Sequence, residues 1–240
     1  MPLHLVSRRF LFSPLLLRPL GLNTGAPRFT AYNYRSTSNI IDIYYDTSAY
    51  QLASKDISLR TRNGIWQLKQ RVPFYLEPQK VDHLHEEKNN LSTRVWKELT
   101  GRREIMAFME GFLGKKSMPM EWDDSRKEDI VGRTLSSNFG METVSELEMT
   151  RISYVLDNKW VVHLDHVKGS GYQVGKVEAE LGAGYGPEVA GVARQKAAQI
   201  EEMMDKYRWF FRSVPDPADG VKGKICAWLK GPVMAAEEEK

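Results

Sequence analysis

Arg60, Arg62 and Lys69 are the residues whose types and spacing most directly suggest chemistry. They lie in Ile57–Arg71, read as I-S-L-R-T-R-N-G-I-W-Q-L-K-Q-R. Two short runs flank Asn63-Gly64, and both turn residues accept positive φ, as a type I′ hairpin requires. In a strand, side chains two apart share a face. Arg60 and Arg62 therefore point one way, and Ile57, Leu59 and Thr61 the other. On the return run Ile65, Gln67 and Lys69 share a face. If the register places Lys69 beside the two arginines, three cations crowd one surface and require an anion there. A phosphate fits, because the guanidinium fork gives two parallel hydrogen bonds and the ammonium adds a point charge. The competing reading is a solvated basic face.

Elements that could position these groups occur along the chain. Leu3, Leu5 and Ser7 alternate with His4, Val6 and Arg8 as a first strand would, followed by a proline-initiated turn or helix. Residues 1–41 hold no acidic residue and five arginines, which also resembles a mitochondrial presequence. The strand reading is preferred, with a cytoplasmic location expected and mitochondrial import as the alternative. Ile40–Tyr45 is rich in β formers, and Ala49–Ser54 suits one helical turn. Ser92–Leu99 reads as a strand with Arg94, Trp96 and Glu98 on one face. Met141–Leu156, Trp160–Val167 and Tyr172–Leu181 read as a meander turned at Asp157-Asn158 and Gly169–Gly171. Helical spacing marks Arg103–Leu113 and Pro187–Trp209, with Asp124–Leu135 and Val221–Leu229 as further candidates. Many long strands with helices outside predict an α+β fold, a sheet closing on itself.

Composition narrows the functions. The 240 residues are 42% hydrophobic with net charge +3, too weakly basic to argue for nucleic acid. A single cysteine, Cys226, precludes an internal disulfide. No apolar run reaches membrane-span length. His163 and His166 flank Asp165 without the i, i+4 spacing of a helical zinc site.

Several blocks together resemble one family. Y-Y-D-T at Tyr44–Thr47, I-S-L-R-T-R at Ile57–Arg62 and W-Q-L-K at Trp66–Lys69 are similar to consecutive landmarks of the CYTH superfamily, the triphosphate tunnel metalloenzymes. W-K-E-L-T at Trp96–Thr100, V-G-K-V-E-A at Val174–Ala179 and K-I-C-A-W-L at Lys224–Leu229 resemble the thiamine-triphosphatase-like members. The resemblance implies one domain over 1–230, with a charged tail at 231–240. It implies a closed eight-stranded antiparallel β-barrel, helices packed outside, that takes a small organic triphosphate. Arg60, Arg62, Lys69, Arg151, Lys224 and Arg9 would bind the phosphates; Asp165 and Glu178 would hold Mg²⁺ or Mn²⁺. The reaction would be hydrolysis of thiamine triphosphate to thiamine diphosphate and phosphate, by a monomer without nucleic-acid or membrane partners. Trp66, Trp96 and Tyr45 are candidates for the ring end.

The departures are specific. The family's Glu-x-Glu-x-Lys on the first strand aligns with Leu5, Ser7 and Arg9. Lys176 stands where a glutamate is expected before Glu178. A site that keeps cations and loses carboxylates attracts polyphosphate and holds a divalent ion poorly. The alternative function is therefore a non-catalytic barrel that binds triphosphate or polyphosphate.

Overall fold

The computed structural model describes residues 3–72, 93–114, 139–181 and 187–214. Strand β1 (Leu3–Leu11) leads through a 3₁₀ turn at Pro14–Leu16 into α1 (Leu17–Gly21). Strands β2 (Tyr32–Thr47), β3 (Ile57–Arg62), β4 (Ile65–Arg71) and β5 (Thr93–Leu99) follow, then helix α2 (Arg102–Leu113). Strands β6 (Met141–Leu156), β7 (Trp160–Val167) and β8 (Gln173–Glu180) precede helices α3 (Pro187–Lys206) and α4 (Arg208–Phe211). The strand order is β1-β5-β4-β3-β2-β6-β7-β8, and the sheet closes into an antiparallel barrel, as expected. Closure leaves no edge strand exposed.

Turn chemistry sets the registers. Asn63 and Gly64 adopt φ of 48° and 79°, the left-handed pair of a type I′ turn. That turn fixes Arg60 opposite Gln67 and Ser58 opposite Lys69. The Asn63 side chain accepts from the Ile41 N–H at 2.8 Å, tying the hairpin tip to β2. Asp157 and Asn158 form the equivalent tip between β6 and β7, with φ of 52° and 54°. There the Asp157 carboxylate accepts from the Thr30 N–H at 2.8 Å, the Thr30 hydroxyl at 2.7 Å and the Tyr207 hydroxyl at 2.7 Å. Burial pushes Asp157 up, but these bonds and the backbone N–H groups of Thr30 and Ala31 together hold its carboxyl below the usual range.

Backbone contacts group the chain into two compact units, one containing β3, β4 and α2 and the other β1, β7, β8, α3 and α4. In the first, Ile57, Leu59, Trp66, Leu68 and Leu99 are buried with Ile105, Met106 and Met109 of α2. Gly114, at φ 64°, ends that helix in the left-handed conformation a side chain would resist. In the second, Val6, Phe10, Val162, Leu164 and Val177 pack with Ala193, Ile200, Met203 and Met204 of α3 and with Phe210 and Phe211. Each such side chain contributes roughly 1.5–3 kcal/mol. Gly175 is part of this packing: a Cβ there would lie 2.1 Å from the Phe10 ring, so only glycine fits. In both units the apolar face of the strands is the helix-covered one, which leaves the alternate, polar residues on the inner face of the sheet.

Two expectations change in detail. Strand β2 extends eight residues N-terminal of Ile40, to Tyr32; this first half (Y-N-Y-R-S-T-S-N) is exposed beyond half-buried Tyr32 and carries no apolar alternation to mark it in the sequence. The helical turn forms at Ala53–Lys55 rather than from Ala49. Asp124–Leu135 and Val221–Leu229 lie outside the described residues. Among the described residues no helix is long and apolar enough to cross a membrane.

Candidate functional site

The first cluster sits on β2, β3 and β4. Because Asp42 pairs with Arg62 and Tyr44 with Arg60, all four side chains share the inner face. Arg62 grips Asp42 with its fork, Nε to Oδ1 at 2.7 Å and Nη2 to Oδ2 at 2.6 Å. Arg60 donates through Nη1 to the same Oδ2 at 3.1 Å and to the Tyr44 hydroxyl at 3.3 Å. Its Nε and Nη2 both reach Gln67 Oε1, at 3.0 and 2.8 Å. The Asp42 side chain is fully buried, and those of Arg60 and Arg62 are 10% and 16% exposed. Two guanidiniums thus share one carboxylate, which holds both in fixed geometry. Lys69 lies on the same face and pairs with Glu98 at 2.6 Å. Such pre-oriented donors suit a phosphate.

The second cluster sits on β6, β7, β8 and β1. Arg151 is opposite Asp165 and holds it with both arms, Nε to Oδ1 at 2.6 Å and Nη2 to Oδ2 at 2.8 Å. The Asp165 side chain is 2% exposed. Two pairs further along, on the same face, Ser153 Oγ lies 2.9 Å from His163 Nδ1. His163 Nε2 faces Glu178 at 3.4 Å. Burial pushes His163 below its ordinary range and outweighs Glu178, with Lys176 and Arg151 adding to the effect. The contact with Glu178 is therefore made by a neutral imidazole. Glu178 is ion-paired with the Lys176 ammonium. Across from Lys176 on β1 is Arg9, whose guanidinium lies over the Trp96 ring at 5.8 Å.

The structure therefore brings Arg60, Arg62 and Lys69 to one face, and places Arg151, Arg9, Asp165 and Glu178 on the inner face of the second group of strands. Lys224 lies outside the described residues. Asp165 and Glu178 are not brought together. Asp165 is opposite Val174, and Glu178 is four residues further along β8, about 13 Å of strand. Each carboxylate has its own cation. Among the described residues no three His, Cys, Asp or Glu side chains form a group that could hold a metal ion. A hard divalent cation needs several oxygen ligands, so these residues as arranged do not fit one. Trp66 and Tyr45 are removed as ring-binding candidates: their rings pack against each other, tilted by 38° with centres 4.7 Å apart, on the helix-covered face, with Trp66 buried. Trp96 alternates with buried Val95 and shares the inner face with Arg9.

Sequence reasoning missed Asp42, Tyr44, Gln67, Ser153 and His163. A signal was present for the first two. Asp42 and Tyr44 alternate with apolar Ile41 and Ile43, so they share a strand face with each other. Nothing local says which arginine they meet, because a connection of nine residues separates β2 from β3.

A family model for the CYTH domain matches residues 35–206. No curated protein matches the chain. A Pyrococcus horikoshii protein superposes with TM-score 0.49 and 17% identity, covering 85% of this chain and 89% of that one. A candidate adenylate cyclase of Vibrio parahaemolyticus gives TM-score 0.47 and 11% identity, covering 96% and 100%. A candidate adenylyl cyclase from Hippeastrum with a dominant triphosphatase activity gives TM-score 0.39 and 18% identity, covering 86% and 88%. Triphosphate tunnel metalloenzymes of this kind generally use divalent metals. The family model spans most of the chain and takes in β3, β4 and the β6–β8 meander, and on that match the chain belongs to the CYTH domain family.

Proposed function

We propose that this chain binds the polyphosphate of a small organic triphosphate on the inner face of its barrel, and that hydrolysis is a weak secondary activity. Family membership supports triphosphate binding or hydrolysis in general. The observation that carries the reading is that one buried carboxylate, Asp42, orients two sheltered guanidiniums on the same strand face. Forked donors held in place in this way are suited to a phosphate. Arg60, Arg62 and Lys69 would meet one stretch of the phosphate chain, and Arg151 and Arg9 are further cations of the family pattern. In hydrolysis, water attacks the terminal phosphorus and the bond to the bridging oxygen breaks. Fixed guanidiniums assist by neutralising the equatorial oxygens. Thiamine triphosphate is the first substrate to test, giving thiamine diphosphate and phosphate. Trp96 is the candidate surface for its ring.

The second reading, binding without turnover, is favoured by one contact, the ion pair of Lys176 with Glu178. Titration calorimetry with thiamine triphosphate and with inorganic tripolyphosphate, alongside an assay of phosphate release, separates the two. We expect both anions to bind and release to be slow. Absence of binding by either anion, with or without Mg²⁺, would sink the proposal.

A further inference from the structure

Residues of metal-ligand type gather on β7 and β8, yet a cation of the chain already occupies each carboxylate. Arg151 takes both oxygens of Asp165, and Lys176 takes Glu178. We infer that Lys176 is an internal cation standing in for a divalent metal, so that this barrel holds polyphosphate without one.

The inference rests on the triphosphate-binding reading and adds the means of binding. Lys176 and Glu178 are two apart on β8 and therefore share the inner face. Lys176 lies between His163 on β7 and Arg9 on β1. The carboxylate of Glu178 fixes the position of the ammonium. At 19% exposure the Lys176 side chain is sheltered yet still reachable by an anion. Arg9, Arg151 and Lys176 lie on the same inner face as Asp165 and Glu178. A glutamate at 176 would replace a cation by a second carboxylate beside Glu178, a change of two charges toward the negative that recruits a divalent ion. The lysine reverses the preference: the ion is repelled, and polyphosphate oxygens are attracted to an ammonium already in place. A phosphate then completes a Glu178–Lys176–phosphate chain in which the ammonium donates to both anions.

The test is titration calorimetry of the full chain with inorganic tripolyphosphate, in excess EDTA and again in Mg²⁺. The expected result is an affinity in EDTA within about two-fold of that in Mg²⁺. Lys176→Met should weaken binding in EDTA roughly 10- to 100-fold, the range of a charged hydrogen bond. Lys176→Arg should keep the chelator-insensitive binding. Lys176→Glu should bind tripolyphosphate only when a divalent ion is supplied, and should take up Mn²⁺ by electron paramagnetic resonance where the wild type does not. Circular dichroism reports whether each variant is folded. Should Lys176→Met or Lys176→Glu fail to fold, the wild type and Lys176→Arg still decide. Binding that disappears in EDTA, Mn²⁺ uptake by the wild type, or wild-type affinity in folded Lys176→Met would overturn the inference alone. Failure to bind in both EDTA and Mg²⁺ would remove the triphosphate-binding reading as well.

Discussion

On β2–β4 two guanidiniums, those of Arg60 and Arg62, share the single carboxylate of Asp42. On β6–β8 the pairing is one to one, Arg151 with Asp165 and Lys176 with Glu178. The same residue types on the same kind of strand face thus give two electrostatic outcomes. In the first cluster one carboxylate orients two guanidiniums. In the second each carboxylate orients one cation. Arg60 and Arg62 read in sequence as the phosphate end of a site, and Asp165 and Glu178 as its metal end. The pairing pattern moves the contrast elsewhere, to a shared carboxylate against one-to-one pairs.

This contrast can be broken most sharply at Asp42. Asp42→Asn removes the buried charge that both guanidiniums share and should destabilise the fold by about 3–5 kcal/mol, measured by denaturant unfolding. An unchanged midpoint would mean that the shared carboxylate does not hold the cluster together. Arg60→Ala comes next. It removes one guanidinium and keeps the Arg62–Asp42 fork, so tripolyphosphate affinity should fall by about 1–3 kcal/mol in calorimetry. Equal affinity in the variant would take the first cluster out of the binding site.

A control outside both clusters is Asp157, which staples the β6–β7 tip to Thr30 and Tyr207. Asp157→Asn should lose about 1 kcal/mol of stability near neutral pH and leave anion affinity unchanged. The folded-state pKa of Asp157 is lowered. Its contribution is therefore present above the unfolded carboxylate value and disappears as pH falls through the lowered one. Unfolding curves of wild type and variant should converge in acid, and a constant gap would contradict the assignment. The smallest effect is expected at the partly exposed Lys69–Glu98 pair. There Glu98→Gln should change stability by only about 0.2–1 kcal/mol in thermal unfolding. A loss as large as that of Asp42→Asn would erase the distinction between shared and one-to-one carboxylates.

Much of the fold was legible because its signals are local. Asn63-Gly64 set the hairpin register, and strand period then placed Lys69 with the arginines. The stripe Ala193, Ile200, Met203 and Met204 marked α3 by spacing alone. The first half of β2 was not legible, since Tyr32–Asn39 is a strand by backbone pairing and carries no buried alternation. The site was legible in its cations and not in their partners. Asp42 meets Arg60 and Arg62 through a register that no short turn dictates. Lys176 and Glu178 were read as a loss and a ligand, and they form one ion pair. Trp66 carried no mark distinguishing a ring-binding residue from a core one, and packing beneath α2 makes it core.

Gly175 has a mechanical consequence. The Phe10 ring rests directly on the backbone there and meets Phe210 and Phe211 edge-on, at 5.8 and 4.9 Å between ring centres. The close-packed interior gives it no slack to move into. One added methyl at position 175 would therefore be passed through a single ring to the last helical turn, thirty-five residues further along the chain. The outer wall of β8 is a mould for one side chain, and the C-terminal helices are cast against it.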